Sequence, residues 1–273
     1  MPPQAKPKFS FLTIVFNGDD FIYQSLMSVY EFAHEIFVVE GAEMDAWCIA
    51  NADGSSTDKT NEILKNFPDP ENKIKFFHGK WKSKEEMTNA PLKYVTGDYI
   101  WRLDSDEVYK KKDLYEFSKI ISERPEITHV TFLQQEFFKG FERIMVPKNG
   151  LKKYLYDKIW KFENGSYFMG HRPPDLYSPS SNKFMGKGVT LSGVELEEKY
   201  NINIYHYSMV TDKQAIDKMI YFSNVYLRRF AVGIPFWSIV GKIPVIRDFY
   251  RFFFSMPIFD KFRKQRSFPE MNF

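Results

Sequence analysis

Gly97-Asp98-Tyr99-Ile100-Trp101-Arg102-Leu103-Asp104-Ser105-Asp106-Glu107 sets two aspartates, two residues apart, directly after a short hydrophobic strand, Tyr99 to Leu103. Side chains at i and i+2 of an extended segment point the same way. Asp104 and Asp106 can therefore converge on one hard cation at a strand end. Carboxylate oxygens suit Mg²⁺ or Mn²⁺, which commonly bind one or two carboxylates together with substrate phosphates. Acidic pairs also end strands and open solvated turns, so the neighbouring sequence must decide between the two readings.

Upstream, strand-like and helix-like segments alternate. Phe9 to Phe16 is an almost unbroken apolar run, the pattern of a strand covered on both faces. Asp19 or Asp20 can cap a helix carrying Ile22, Leu26, Val29 and Tyr30 at helical spacing. Ile36 to Val39 is a second buried strand, ending at Glu40 and Gly41. Ser56 or Thr57 opens a helix with Ile63, Leu64 and Phe67 inward, closed by Pro68, and Lys73 to Phe77 is a third strand. Ser83-Lys84-Glu85-Glu86 has the form of a capping box, and Pro91 shortens or kinks the helix it starts. Strand and helix in turn imply a mostly parallel sheet with right-handed crossovers. Such sheets bind ligands beyond the carboxyl ends of their strands, where Phe16-Asn17, Glu40 and Asp104 all fall.

Downstream the pattern loosens. Lys111 to Ser122 reads as a helix, Thr128 to Phe138 as a strand, and Ile159 to Phe162 as a short strand. Asn164 to Lys187, rich in Gly, Pro, Ser and Asn, reads as a loop region or lid. Asn201 to Tyr207 resembles a strand. Asp212 to Phe230 is an amphipathic helix through Ile216, Met219, Ile220, Tyr226 and Leu227.

The 273 residues, 44% of them hydrophobic, suffice for one large domain or a domain with an appendage. Mean hydropathy is −0.41, as expected of a soluble protein. A net charge of +3 makes a poor electrostatic case for nucleic acid. Cys48 stands alone, which excludes an intramolecular disulfide and fits a reducing compartment. The N-terminus lacks the apolar core of a signal peptide, and no window reaches the roughly 18 apolar residues of a spanning helix. A cytoplasmic location is expected.

Four segments together resemble glycosyltransferase family 2, whose members have the GT-A fold. Thr13-Ile14-Val15-Phe16-Asn17 resembles its first strand and nucleotide-facing loop, and Phe37-Val38-Val39-Glu40 its second strand. Asp53-Gly54-Ser55-Ser56-Thr57-Asp58 resembles the D-G-S-T-D run opening the next helix. The Gly97–Glu107 block resembles the family's G-D-Y-I-hhh-D-x-D-E segment. The similarity covers about residues 9 to 110 in order and spacing, and continues loosely through His171 and His206-Tyr207. One departure is that Gly41 to Ala52 intervenes between the second-strand acid and the G-S-S-T-D run. Glu40 and Asp53 therefore compete for the base- or ribose-contacting role. A second is that the E-D pair supplying the family's catalytic base is not evident downstream.

The resemblance implies an α/β GT-A fold over residues 1–210, with a nucleotide-sugar half (9–110), an acceptor half (111–210) and a helical, aromatic extension (211–273). It implies a metal-dependent, inverting transferase of hexosyl type, moving sugar from a nucleotide-sugar donor to a hydroxyl of a glycan or lipid-linked acceptor. Phe16, Asn17, Glu40, Asp53, Lys84, Asn89, Asp104 and Ser105 are the candidate donor contacts, with Lys82 an alternative to Lys84. Asp106 and Asp104 are the candidate ligands for Mn²⁺ or Mg²⁺, with His206 or His171 completing the shell. Glu107 points to the other face of the strand and is expected to be structural. Inverting transfer needs a carboxylate to take the acceptor's proton. Asp175, in the Gly/Pro-rich loop beside His171, is the first candidate and Glu136, near a strand end, the second. His34, His78 and His129 receive no role.

The tail from Phe230 to Phe273 interleaves aromatic with basic residues. That composition suits a segment lying on the inner face of an anionic membrane, and equally one packed on its own domain or on a dimer partner. Two other functions fit the same elements. Sugar-nucleotide synthesis on a similar fold would need a Gly-rich, basic loop after the first strand, whereas Phe16-Asn17-Gly18-Asp19-Asp20 is acidic. A non-catalytic binding scaffold would not need the acidic cluster.

Overall fold

The computed structural model describes residues 6–147, 154–229 and 259–264. The chain begins β1 (Phe9–Val15), α1 (Ile22–Tyr30), β2 (Glu35–Glu40), α2 (Thr60–Lys65), β3 (Ile74–His78), α3 (Lys84–Asn89) and β4 (Tyr99–Arg102). After the acidic turn come β5 (Glu107–Val108), α4 (Lys111–Glu123), β6 (Ile127–Phe138), β7 (Arg143–Pro147) and β8 (Leu155–Lys161). Next are β9 (Tyr167–Met169), β10 (Asp175–Ser178), β11 (Lys183–Phe184) and β12 (Val189–Leu191). The last described elements are α5 (Gly193–Tyr200), β13 (Ile204–Met209), α6 (Asp212–Arg229) and β14 (Phe259–Lys264).

The main sheet runs β14-β7-β6-β8-β4-β1-β2-β3, with β12 and β13 also on β6, and β5 on β13. Its first part is parallel: β1 lies between β2 and β4, and β2 pairs with β3. From β8 onward antiparallel pairing enters, as β8 joins β4 to β6. The architecture is the α/β type that the resemblance implies, with a mixed rather than mostly parallel sheet.

Burial explains why the first strands are readable. Apolar layers cover both faces of β1, so its residues cannot alternate with polar ones. Phe9 and Phe11 pack on one side with Trp101, Phe117 and Phe132, while Leu12 packs on the other with Phe37, Ile100, Trp160 and Phe168. Trp101 sits at the middle of the first layer, its ring centroid 5.0 Å from those of Phe11 and Phe117, and its indole N–H donating to Tyr109 Oη at 3.1 Å. Gly97 lets β4 approach β1: a Cβ there would lie 2.4 Å from Ser10 Oγ and 3.0 Å from the Lys8 carbonyl oxygen.

Several local expectations need correction. Asp19 and Asp20 do not cap α1, whose first turn has no side-chain cap; both carboxylates instead pair with Lys213. The helix expected from Ser56 or Thr57 starts only at Thr60, because Ser56 and Thr57 are tied to Glu40 and Asn17. Asn164 to Lys187 is not simply a loop region. It forms a second sheet, β11-β10-β9, with Phe168 and Leu176 fully buried against the main one. Outside the strand β14, the aromatic and basic tail lies beyond the described residues. Among those described, no helix is long and apolar enough to cross a membrane.

The box at α3 is present in modified form. Ser83 Oγ accepts from Glu86 N at 3.1 Å, and the Glu86 carboxylate reaches back to Lys82 N at 2.5 Å. Ser83→Ala is expected to lower stability by about 1 kcal/mol, the usual value of an N-cap, as measured by urea denaturation. An unchanged midpoint would mean that the neighbouring elements alone hold α3.

Candidate active site

Asp104 and Asp106 sit in the turn between β4 and β5, at the carboxyl end of the parallel strands. Asp104 Oδ2 lies 2.9 Å from Lys158 Nζ, and Asp106 Oδ2 lies 3.0 Å from Lys218 Nζ. Asp106 Oδ1 faces His206 Nε2 at 3.2 Å. Burial alone would push both carboxyls up. Lys158 and Arg102 outweigh it at Asp104, His206 and Lys218 outweigh it at Asp106, and both are held well below the usual carboxylate range.

Glu107 is fully buried, as its opposite orientation implies. It pairs with Lys158 at 2.7 Å and accepts from Gln134 and from the Asp104 amide at 3.1 Å. Burial pushes its carboxyl upward, against the pull of Lys158. Lys158 on β8 thus bridges Asp104 and Glu107 from a side chain only 5% exposed. A lone buried ammonium would be very costly, and its place between two carboxylates is what makes it tolerable.

The third side of the site is built by backbone register. His206 on β13 lies opposite Glu107 on β5 and opposite Glu136 on β6. Its Nδ1 faces Glu136 Oε1 at 3.7 Å, and Tyr156 Oη donates to the same oxygen at 3.3 Å. Burial opposes a charge on His206, but Asp106 outweighs it and raises the imidazole to about 10. At neutral pH His206 is therefore a cation between two carboxylates. Burial also opposes ionisation of Glu136, and His206 outweighs it, so that carboxyl is lowered.

Around this centre lie the donor candidates. Asn17 follows the half-buried Phe16 with φ 52°, a left-handed conformation that asparagine tolerates. Its amide donates to Ser56 Oγ at 2.9 Å and its side-chain oxygen accepts from Thr57 N at 2.8 Å. Ser105 packs against the same loop, 3.2 Å from where a Gly18 Cβ would stand. Glu40 is buried, accepting from Ser56 N at 2.7 Å and facing His78 Nδ1 at 2.6 Å. Asp53 is 66% exposed and 3.8 Å from His78 Nε2. Of the two competing acids, Glu40 holds the loop and Asp53 faces outward. His78, given no role from the sequence, connects them.

Lys84 Nζ lies 3.5 Å from a Glu43 carboxylate oxygen and 4.8 Å from the Tyr221 ring centroid. Burial pushes its ammonium down. His171 accepts from Arg102 at 3.4 Å rather than meeting Asp106. Burial first, then Arg102, Lys84 and Arg172, lower it to about 3, so it is neutral in a cationic surround.

Two candidates have their polar atoms engaged elsewhere. Asn89 donates to the Phe168 carbonyl at 3.0 Å and accepts from its amide at 2.7 Å, clamping β9 to α3. Asp175 Oδ1 accepts from the amides of Leu176 at 2.8 Å and Gly186 at 2.9 Å, fixing the small sheet. Besides His78 and Tyr156, Lys158 and Lys218 are site residues that the sequence did not reveal. A lysine directly preceding Ile159 and Trp160 in a strand was the available signal for Lys158. Lys218 had none.

The donor set suits a hard cation. Two ionised carboxylates leave one turn together, and no group of three or more His, Cys, Asp or Glu among the described residues forms a metal site by itself. The remaining positions of such an ion would fall to substrate oxygens. His206 carries its proton towards Asp106, which makes it a hydrogen-bond donor there.

A sequence model of glycosyl transferase family 2 matches residues 10–175. A Haemophilus influenzae protein described as an uncharacterized glycosyltransferase is 24% identical over 255 residues, spanning 81% of this chain and 95% of its own length. Among solved structures, S. aureus TarS 1-349 is 19% identical with a TM-score of 0.43, over 81% of this chain and 65% of its own. Mannosyltransferase PcManGT from Pyrobaculum calidifontis, in complex with GDP-Man and Mn²⁺, is 11% identical with a TM-score of 0.46. That match covers 85% of this chain and 66% of PcManGT. The family match spans more than half of the chain and includes the strand leading into Asp104 and Asp106, so the protein belongs to glycosyl transferase family 2.

Proposed function

We propose that the chain transfers a hexosyl group, with inversion, from a nucleotide-sugar donor to a hydroxyl of a glycan or lipid-linked acceptor. The observation that carries this reading is the row Asp106–His206–Glu136. It puts an ionised carboxylate with access to solvent beside the acidic turn, where a proton acceptor is required. Asp104 and Asp106 would hold Mn²⁺ or Mg²⁺, which when bound neutralises charge on the departing diphosphate.

The chain's own residues do the rest. Lys158 keeps Asp104 ionised and pointed out of the turn. His206 spaces Asp106 from Glu136. Glu136 takes the acceptor hydroxyl's proton as that oxygen attacks the anomeric carbon and the bond to the diphosphate breaks. The 21% exposure of the Glu136 side chain leaves its carboxylate reachable. The Asn17–Ser56–Thr57 loop, with Asp53 at its rim, would take the nucleoside, and Lys84 the donor. The acceptor class and contact with the inner face of a membrane rest on family resemblance and on the composition of the tail.

A thermal-shift panel tests the donor. Nucleoside diphosphates of different bases, with Mn²⁺, should raise the melting temperature for one base class, by mass action on the folded state. No shift with any of them would remove the donor assignment. Pyrophosphate release from a nucleoside triphosphate and a sugar phosphate would instead favour sugar-nucleotide synthesis.

A further inference from the structure

The cations facing the acidic turn differ in how free they are. Lys158 is 5% exposed and shared by Asp104 and Glu107. His206 is 15% exposed and shared by Asp106 and Glu136. Neither can turn away without depriving two carboxylates of their counter-charge at once. Lys218 is different. Its side chain is 39% exposed, and it touches the turn only through Asp106 Oδ2.

Lys218 arrives on α6, which meets the site through polar side chains. Gln214 is buried; it donates to the Tyr207 carbonyl at 2.7 Å and accepts from the amides of Val210 and Thr211, both at 3.0 Å. Lys218 follows one turn later and Tyr221 nearly another, at i, i+4 and i+7. Tyr221 donates to Glu43 and lies beside Lys84. A helix anchored by Gln214 thus carries one ammonium over the acidic turn.

We propose that Lys218 is a donor-binding residue, whose ammonium leaves Asp106 for a diphosphate oxygen when a nucleotide-sugar and a divalent cation bind. This rests on the donor and metal reading given above. A divalent cation brought to Asp106 meets like charge 3.0 Å from the carboxylate oxygen it needs. The diphosphate that accompanies it brings negative charge into the same space. Lysine is well suited to follow that charge, because it binds phosphate as a point charge on a flexible stem, with no fixed fork to align. The same residue then serves as counter-ion to Asp106 before binding and to the leaving group afterwards.

Calorimetric titration of wild type, Lys218→Met and Lys218→Arg tests this. The probes are UDP, GDP, dTDP, CDP and ADP in MnCl2, followed by the nucleoside of whichever one binds wild type. Lys218→Met should weaken binding of that diphosphate about tenfold or more, the effect of one lost charge-assisted contact. Lys218→Arg should stay within about threefold of wild type, and the nucleoside should bind all three proteins alike. Diphosphate binding by Lys218→Met that equals or exceeds wild type would overturn the proposal, since Lys218 would then only obstruct the cation. Equal weakening of diphosphate and nucleoside in both variants would also overturn it, pointing to a disturbed helix. If wild type binds none of the diphosphates, the donor reading itself fails, and that appears in the wild-type arm alone.

Discussion

Asp106→Asn lowers turnover by about a thousandfold, the upper end of what removing one transition-state charge stabiliser costs. The substitution keeps the shape of the side chain and one hydrogen-bond acceptor. It removes the charge that faces His206 and Lys218. Because part of a semi-buried ion pair is lost, stability falls as well, so the assay belongs well below the variant's melting temperature. Initial rates with saturating donor and Mn²⁺ give the answer. A variant within about tenfold of wild type would show that Asp106 holds no catalytic charge and that the turn is structural. Asp104→Asn should follow the same direction. It also releases Lys158, whose remaining partner is the buried Glu107.

Glu136→Gln is the second large effect. Loss of a general base costs about 10²- to 10⁴-fold, and here the loss should appear in kcat while the KM for donor changes little. Glutamine still accepts from Tyr156 and fills the same volume, so β6 and β13 should keep their register. Asp175→Asn provides the contrast. Asparagine keeps the oxygen that the amides of Leu176 and Gly186 bind, so this substitution should leave both stability and turnover near wild type. If the two variants exchange behaviour in steady-state kinetics, the proton acceptor belongs in the small sheet and not beside His206.

Much of the first half of this fold was legible because its strands are buried on both faces and its helices carry plain apolar stripes. β1, β2 and β4 appear as near-continuous hydrophobic runs for that reason. The acidic turn, His206 and Glu136 were legible as individual residues. Their mutual arrangement was not, because it depends on β13 lying against both β5 and β6, a pairing between segments far apart in sequence. Lys158 was hidden because a buried lysine looks like a strand-edge charge until its two carboxylate partners are in place. The sheet from Tyr167 to Phe184 was missed because Gly, Pro, Ser and Asn dominate that stretch. Its strands are only two to four residues long, and two buried side chains, Phe168 and Leu176, anchor them. On α6 the buried anchor Gln214 is polar and carries no apolar signal.

The four matching segments end near residue 110, yet among the described residues every ammonium or imidazolium touching the two aspartates comes from beyond residue 150. An amino-terminal fragment cut before β6 would keep the recognisable signature and Arg102 but would lose Lys158, His206 and Lys218, leaving its paired anions short of counter-charge. Split-protein or chimeric versions of this transferase should therefore place their junction after α6, so that acids and their counter-charges are inherited together.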